Sequence, residues 1–494
     1  MFRDFPLSPI DARRLGNTGS MPELHYQSAH DTLDLFRSGD LSPMEHLESL
    51  IEQIEANDPV LNAVIDRRYD EARAEARSAE QRYLGKGDSP RPLEGLCVAA
   101  KEEHPMVGRP WQQGSLAYAD AVAKYDHPII DRIQNAGGII HIRTATPEFS
   151  CAGFTHSKLW GVTRNPWNPD FTPGGSSGGS AAALAAGYAP LATGSDIGGS
   201  IRIPASFCGV VGFKPPFGRV PGLAPYHLDQ YCHDGPLART VSDCGLLENV
   251  IAGPHWRDIV SLRDPPQIPR DATTIDGVRI GLSVRLGGWP VDADVVANTN
   301  AVAEALHQAG AEVEEVVLPW TVDRFWQAAR AHFGAIFGPG IAKIEHEHGD
   351  ELNDYTSAFV STMKTEMTFY EGLVEETALW DPLGRLFEDI DVLLCPTVAT
   401  SGLRAGNPYL DELVVIDGQP MPHHIMAMMT VPFNLFSRCP VLSLPSGLAA
   451  NGVPTGVQVV GRTYEDVSVF QVGAAIQAAG FGFGSPDWRP PLNS

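Results

Sequence analysis

The spacing of apolar positions predicts amphipathic helices near the start of the chain and short buried strands through much of the rest. The clearest helix begins at Ser42, where the run Ser42–Glu45 has the form of a capping box with proline at the first helical position. Leu47, Leu50, Ile51 and Ile54 then recur at i, i+3, i+4 and i+7, which places them on one helical face. This segment is therefore predicted to be a helix that packs on a core.

Short apolar runs bounded by charged residues or glycines predict buried strands. One of these runs, Leu96–Ala100, leads directly into Lys101. Helical patterns lie before or between the runs, near 29–37, 67–83, 128–136, 180–187 and 295–309. The alternation predicts an α/β fold built on a mixed or mostly parallel sheet. The predicted strands cover residues 96–100, 138–143, 189–193, 210–213, 279–283, 312–317, 392–394, 441–444 and 456–460.

The chain is predicted to hold one domain with an arm and an insertion. Residues 1–27 are polar and aperiodic, so they are predicted to form an N-terminal arm. Residues 28–494 are predicted to form a single domain, because no repeat and no long linker divides them. Between about 320 and 390 the sequence is helical and aromatic with little strand pattern, and we expect a helical insertion there.

Composition and charge narrow the possible partners. The 494 residues are 43% hydrophobic and 19% charged, which is typical of a globular protein, and the net charge is −24. That charge disfavours binding to nucleic acid or to an anionic membrane surface. Seven cysteines, without a C-x-x-C pair, are predicted to be reduced thiols. No apolar leader and no long apolar run are visible, so we expect a cytoplasmic protein without a membrane span.

Two glycine-dense loops carry candidate catalytic serines. They are Pro173–Ser180 and Gly194–Arg202, and they hold Ser176 and Ser200, 24 positions apart. The glycines before Ser200 allow close approach of the backbone to a substrate, with successive N–H groups aimed at one point, as an oxyanion hole requires. Neither loop has the G-x-x-x-x-G-K-[ST] pattern of a phosphate-binding loop. The loops therefore favour covalent catalysis by a serine over phosphate binding.

Lys101 is the candidate base for such a serine. An amine accepts a proton only when it is neutral, and burial without a counter-charge favours the neutral form. Because a facing carboxylate would stabilise the ammonium instead, we expect Glu102 and Glu103 to point away from Lys101. Nucleophile, relay and base together predict a hydrolase that cleaves amides through an acyl-enzyme.

Two long motifs surround these serines. They read GGSSGGSAAALAAG (174–187) and GSDIGGSIRIPA (194–205), and shorter runs include GVVGFKP (209–215), GPLARTVSD (235–243) and DVLLCPT (391–397). The chain resembles the amidase signature family of serine hydrolases through these motifs, over roughly 28–492. The family more usually has Asp directly after the lysine, where this chain has Glu102. The resemblance implies the amidase signature fold, a large mixed, mostly parallel sheet covered by helices on both faces.

The resemblance also implies a Ser–cis-Ser–Lys triad. Ser200 would be the nucleophile, Ser176 the proton relay after a cis bond from Gly175, and Lys101 the base. Ser177 competes with Ser176 for the relay, and the spacing typical of the family favours Ser176. The backbone N–H groups of Ile197, Gly198, Gly199 and Ser200 would form the oxyanion hole. Residues expected near the substrate are Tyr118, Phe149, Cys151, Gly174, Gly175 and Met428.

The predicted function is hydrolysis of a carboxylic amide, with a bulky, aryl or apolar substrate favoured by the methionine and aromatic clusters. The helical insertion would border the substrate entrance. The resemblance implies no cofactor and no metal, and it allows a homodimer. Three alternatives stay open: a partner-dependent amidotransferase component that releases ammonia from glutamine, an esterase or carbamate hydrolase with the same triad, and a binding scaffold without activity.

Overall fold

An eleven-stranded sheet runs through the centre of the computed structural model, which describes residues 23–271, 274–485 and 487–492. Its strand order is β1-β3-β2-β6-β8-β7-β14-β15-β11-β9-β10. Two separate hairpins, β4–β5 and β12–β13, complete the strands of the described residues. The strands are β1 (Val64–Arg67), β2 (Cys97–Lys101), β3 (Ile139–Thr144), β4 (His156–Ser157), β5 (Gly161–Val162), β6 (Leu191–Asp196), β7 (Val211–Lys214), β8 (His233–Ala238), β9 (Arg279–Leu282), β10 (Glu312–Glu315), β11 (Val392–Pro396), β12 (Val414–Ile416), β13 (Gln419–Met421), β14 (Val441–Leu448) and β15 (Pro454–Gly461).

The prediction of a large mixed sheet is confirmed, and its parallel pairs form two blocks. Strands β3, β2 and β6 are parallel to one another, and so are β11, β9 and β10. The strands between the blocks, and the edge strand β1, pair antiparallel. Parallel neighbours need a crossover helix, whereas the β14–β15 hairpin closes through a short turn. The strand directions therefore follow from the connections between strands. Helices connect the strands of the parallel blocks, and a short turn connects β14 to β15 near the centre of the sheet.

Helices cover both faces of the sheet. Val98 and Leu191 pack on one face with side chains from α4 and α7, whereas Ala99 and Ala192 pack on the other with α5 and α6. Because β2 and β6 are covered on both faces, apolar residues occupy successive positions in these two strands. The helices are α1 (Ala29–Ser38), α2 (Pro43–Leu61), α3 (Tyr69–Tyr83), α4 (Pro128–Asn135), α5 (Gly178–Ala185), α6 (Arg202–Cys208), α7 (Val241–Ile251), α8 (Ala293–Gln308), α9 (Val322–Ala335), α10 (Gly338–His348), α11 (Asp354–Thr362), α12 (Phe369–Asp389), α13 (Pro432–Leu435) and α14 (Asp466–Ala478).

The predicted capping box is present at the start of α2. Ser42 Oγ accepts from the backbone N–H of Glu45 at 3.1 Å, and Glu45 Oε2 accepts from the backbone N–H of Ser42 at 2.9 Å. Most of the N-terminal arm predicted for 1–27 lies outside the described residues, whereas Leu24–Tyr26 forms a short 3-10 helix. None of the described helices is both long and apolar enough to cross a bilayer. All seven cysteines are free thiols, and all except Cys232 are buried.

Candidate active site

The candidate catalytic residues meet where two neighbouring parallel strands end. Lys101 is the last residue of β2 and Asp196 is the last residue of β6, and the two strands pair in parallel. In open α/β sheets the carboxyl ends of the strands form the usual binding crevice. The loop after β6 leads through Ser200 into α6, and the loop before α5 carries Ser176. The fold therefore brings all three predicted side chains to one edge of the sheet.

Lys101 and Ser176 are in direct contact. Lys101 Nζ lies 2.7 Å from Ser176 Oγ, and both side chains are fully buried. The peptide bond between Gly175 and Ser176 is cis, as the resemblance implied. A Cβ atom at Gly175 would overlap the backbone oxygens of Ala152 and Phe154, so no larger side chain fits there. The contact that a proton transfer between Ser176 and Lys101 would require is thus present in this structure.

Ser200 lies on the neighbouring loop and is 7% exposed. The hydroxyl of Ser200 makes no hydrogen bond with any of the described residues, so its contact with Ser176 is not closed in this structure. The neighbouring backbone depends on Gly199, whose φ of 124° favours glycine and where a Cβ atom would overlap Thr430 Oγ1. Catalytic hydrogen bonds are often long or misaligned before substrate binds. The hydroxyl is therefore available to a reacting carbonyl carbon.

The predicted oxyanion hole needs one correction. The N–H of Gly199 donates to Asp196 Oδ1 at 2.8 Å, so this group is already used inside the loop. The N–H groups of Ile197, Gly198 and Ser200 make no hydrogen bond within the described part of the chain. Three of the four predicted donors are therefore free for an oxyanion, and the fourth fixes the loop instead.

A buried ion pair holds this loop in place. Arg202 contacts both carboxylate oxygens of Asp196 at 2.9 Å, and both residues are buried. Burial alone would raise the pKa of Asp196, but the charge and hydrogen bonds of Arg202 bring that pKa well below its usual value. Asn434 also donates to Asp196 and accepts from Arg202. The pair thus fixes the start of α6.

The expectation that Glu103 points away from Lys101 is wrong. Glu103 Oε2 lies 2.5 Å from Lys101 Nζ and accepts hydrogen bonds from Ser195 Oγ at 2.6 Å and Ser150 Oγ at 2.9 Å. Burial alone would raise the pKa of Glu103, but the charges of Lys101 and His104 bring it below its usual value. The chain turns directly after β2, where the backbone N–H of His104 donates to the carbonyl oxygen of Lys101 at 3.1 Å, and this turn brings Glu103 back to the lysine amine.

The expectation for Glu102 is met. Its carboxylate accepts from the backbone N–H groups of Gln112 and Gln113, whereas the partners of the lysine amine are Glu103, Ser176 and Ser195. Burial raises the pKa of Glu102 to about 7, against the opposing effect of the Arg143 guanidinium. Glu102 therefore anchors the following loop and does not act on Lys101.

Two cavities that share lining residues lie at the candidate site. The larger cavity, of about 290 Å³, is lined by Ser176, Ser195 and Glu103, and the smaller, of about 40 Å³, is lined by Ser200. Ser150, Ile197 and Phe337 line both. The smaller cavity is apolar apart from its serines. Its other lining residues include Cys151, Ile203, Phe333, Phe359, Ile425 and Met428.

The predicted substrate residues divide between the two cavities. Tyr118 and Phe149 line the larger one, whereas Cys151 and Met428 line the smaller one. Gly174 and Gly175 line neither, because they pack against the backbone of Pro204 and Phe154.

Sequence reasoning missed the residues that surround the lysine amine. Glu103 and Ser195 were not predicted as site residues, although both contact Lys101 Nζ. Ser195 lies one residue before the end of β6. Its place next to Lys101 follows only from the pairing of β6 with β2, which the sequence does not reveal.

A histidine–aspartate cluster in the larger cavity has the residue types of a metal site, but its imidazole nitrogens form hydrogen bonds within the protein. His104 and His127 both direct Nε2 towards Asp234, at 2.9 and 3.5 Å. The Nδ1 atom of His127 accepts from the backbone N–H of Ile129, and Nδ1 of His104 lies 2.9 Å from Thr193 Oγ1. A neutral imidazole has one acceptor nitrogen, so each ring donates from Nε2 to the carboxylate and keeps no lone pair for a metal.

A sequence model of the family described as Amidase matches residues 45–470. Among curated proteins, an acylamidase of Rhodococcus erythropolis is 31% identical over 92% of this chain and 96% of its own length. The A component of a glutamyl-tRNA(Gln) amidotransferase from a Synechococcus strain is also 31% identical, over 91% of this chain and 95% of its own length.

Solved structures agree with these matches. A bacterial aryl acylamidase, described as belonging to the amidase signature enzymes, superposes with a TM-score of 0.87 at 30% identity and covers 95% of this chain and 100% of its own. A 6-aminohexanoate cyclic dimer hydrolase complexed with substrate superposes with a TM-score of 0.80 at 28% identity, over 95% of this chain and 99% of its own. The site geometry and these similarities together show that the chain belongs to the amidase signature family.

Proposed function

We propose that this amide hydrolase works through a seryl acyl-enzyme in which Ser200 is the nucleophile, Ser176 the relay and Lys101 the base. The observation that carries the proposal is the 2.7 Å contact between Lys101 Nζ and Ser176 Oγ, beside a loop whose Ser200 hydroxyl is free. The amide class is that of the family and of the acylamidase relatives. The roles of the three residues are the part that needs testing.

The proposed reaction needs two proton transfers along one path. Neutral Lys101 accepts the proton of Ser176 while Ser176 accepts that of Ser200, and Ser200 Oγ bonds to the carbonyl carbon. The oxyanion accepts hydrogen bonds from the N–H groups of Ile197, Gly198 and Ser200. When the C–N bond breaks, the proton returns through Ser176 to the leaving nitrogen. Water then attacks the ester by the same path, and the carboxylic acid leaves.

The lining of the two cavities supports a proposal for where the two halves of the substrate bind. Ser176 returns the proton to the leaving nitrogen and lines the larger cavity, so the amine half occupies that cavity. Ser200 lines the smaller one, so the acyl group occupies it. Its apolar lining supports an aliphatic or aryl acyl group, with the bulk of the substrate on the amine side. Phe333, Phe337 and Phe359, from the predicted insertion, support the proposal that these helices border the substrate entrance.

The test is hydrolysis by the purified chain of a panel of short aliphatic amides, anilides, peptide amides, esters and carbamates, ranked by kcat/KM, with Ser200→Ala as control. We expect amide hydrolysis without ATP or a partner, and its loss in the variant. An amidotransferase component, as several relatives are named, would release ammonia from glutamine only with its partner. A preference for esters or carbamates would assign the same triad to those substrates. The homodimer and the cytoplasmic location stay predictions, and sedimentation measurements test the former.

A further inference from the structure

The larger cavity is acidic and aromatic. Among the described residues that line it, four are carboxylates and none is lysine or arginine. Asp196 is paired with Arg202, and Asp234 accepts from two histidines. Both oxygens of Asp258 accept from backbone N–H groups. Glu103 is different, because its side chain is 34% exposed and faces the cavity. The aromatic lining residues are Trp111, Tyr118, Tyr125, Phe149, Phe217, Tyr226 and Phe337.

Only one of the two oxygens of Glu103 is occupied within the described residues. Oε2 receives all three contacts, from Lys101, Ser195 and Ser150. Oε1 makes no hydrogen bond in the described part of the chain. A carboxylate can accept on both oxygens, so Glu103 has capacity for a second cation. Aromatic faces around a carboxylate add a further attraction for a positive charge.

We propose that the amine half of the substrate carries a cation, an aliphatic ammonium a few bonds from the scissile nitrogen, that binds Glu103 Oε1 in the larger cavity. The inference rests on the proposed function, because the relay through Ser176 is what places the amine half there. The substrate class is thereby a monoacylated diamine with an apolar acyl group. Glu103 is the specificity-determining residue for the charge.

A purely positioning role for Glu103 and the proposed recognition of a cation lead to different results. If the carboxylate only holds Lys101 in position, replacing it changes turnover of charged and neutral amides by the same factor. If the carboxylate recognises a cation, the replacement selectively lowers kcat/KM for the charged amide. The readout is therefore the ratio of two kcat/KM values, which a purely structural role leaves unchanged.

The experiment compares N-butanoyl diamines of two to five methylenes with N-butanoyl alkylamines of the same length, in which a methyl group replaces the ammonium. The charged member is expected to have at least about a tenfold higher kcat/KM at its best spacer length, because hydrogen bonds between charged groups are stronger than those between neutral groups. Glu103→Gln is expected to bring the ratio close to one, mainly through KM of the charged amide. Glu103→Asp, which keeps the charge, is expected to retain part of the preference.

The matched control is Asp120→Asn, which removes an exposed carboxylate outside the cavity and is expected to keep the wild-type ratio. Equal kcat/KM for charged and neutral amides in the wild type, or an unchanged ratio in Glu103→Gln, overturns the cation proposal and leaves the proposed function standing. Failure of the wild type to cleave any amide overturns the proposed function as well. Labelling of Ser200 in Glu103→Gln by a fluorophosphonate shows that the variant is folded.

Discussion

Glu103 Oε2 lies 2.5 Å from Lys101 Nζ, so the candidate base of this enzyme is held in an ion pair before substrate binds. The same amine contacts Ser176 Oγ and Ser195 Oγ, each at 2.7 Å. A carboxylate at this distance stabilises the ammonium, whereas the proposed reaction needs the neutral amine. The acid side of the pH–rate profile should therefore depend on Glu103.

The first prediction concerns that profile. The pKa of Glu103 is held below its usual value by Lys101 and His104 in spite of its burial, so the carboxylate stays ionised throughout an assay at pH 5–10. Replacing it with the neutral amide in Glu103→Gln removes the anion that stabilises the ammonium. The rise of kcat/KM for a neutral amide should then shift to lower pH, by about 1–2 pH units. A profile that stays in place, or that moves to higher pH, contradicts this role of the carboxylate.

The second prediction tests the base. Lys101→Met removes the amine and keeps most of the volume of the buried side chain. We expect kcat to fall by about 10³-fold or more, because the Ser200 proton then has no acceptor. Lys86→Met, at an exposed position, is the control and should keep wild-type turnover. Circular dichroism of both variants shows that they are folded, and substantial turnover by folded Lys101→Met would refute the assignment.

The third prediction concerns the backbone of the oxyanion loop. A methyl group at Gly199 would overlap Thr430 Oγ1, so Gly199→Ala must displace the loop that carries the free N–H groups. Loss of one oxyanion donor typically costs about 10²–10³ in rate, and we expect a fall of that size. Gly277→Ala is the control, because its φ of 73° carries the same left-handed strain with nothing within 4 Å. Equal activities of the two variants would count against the proposed oxyanion hole.

The fourth prediction concerns stability. Arg202→Met leaves Asp196 charged and buried without its partner, and such changes typically cost about 3–5 kcal/mol in the free energy of unfolding. The exposed pair Arg385–Asp381, with side chains 77% and 64% exposed, is the control. Arg385→Met should change the free energy of unfolding by less than about 1 kcal/mol. Urea unfolding measures both, and similar values for the two variants would show that the buried pair does not stabilise the loop.

The fifth prediction concerns the loss of folding stability at acid pH. Burial lowers the pKa of His46 to about 3, and neither ring nitrogen has a hydrogen-bond partner among the described residues. The unfolded chain takes up this proton near pH 6.5, so the stability that depends on neutral His46 is complete above that pH and is lost towards pH 3. Between pH 7.5 and 5 the free energy of unfolding of the wild type should fall by about 2 kcal/mol more than that of His46→Leu. His346→Leu, at an exposed position, should follow the wild type, and a His46→Leu variant with wild-type pH dependence would contradict the prediction.

Much of the fold could be predicted because many of its helices and strands depend on short-range patterns in the sequence. The capping box at Ser42 and the apolar run before Lys101 depend only on neighbouring residues, and both appear in the structure. The strand His233–Ala238 was missed, because Asp234, Gly235 and Pro236 interrupt its apolar pattern. It exists as a strand because it pairs with β6 and β7, which is tertiary information.

Only those residues of the candidate site that stand in or beside recognisable sequence motifs could be predicted. Ser176 and Ser200 stand in glycine loops that are visible in the sequence, and Lys101 follows a buried strand. The inward position of Glu103 depends on Ser150 and Ser195, which donate to its carboxylate from a 3-10 helix after β3 and from the end of β6. A charge beside a lysine in sequence does not say which way it faces, and hydrogen bonds from distant residues decide it.

The most direct test of the central claim is peptide mapping by mass spectrometry after reaction with a fluorophosphonate. The account predicts a single adduct on Ser200, formed by the wild type and slowed strongly in Lys101→Met and Ser176→Ala. An adduct on Ser176 or Ser177, or labelling of Ser200 at an unchanged rate in Lys101→Met, would contradict it.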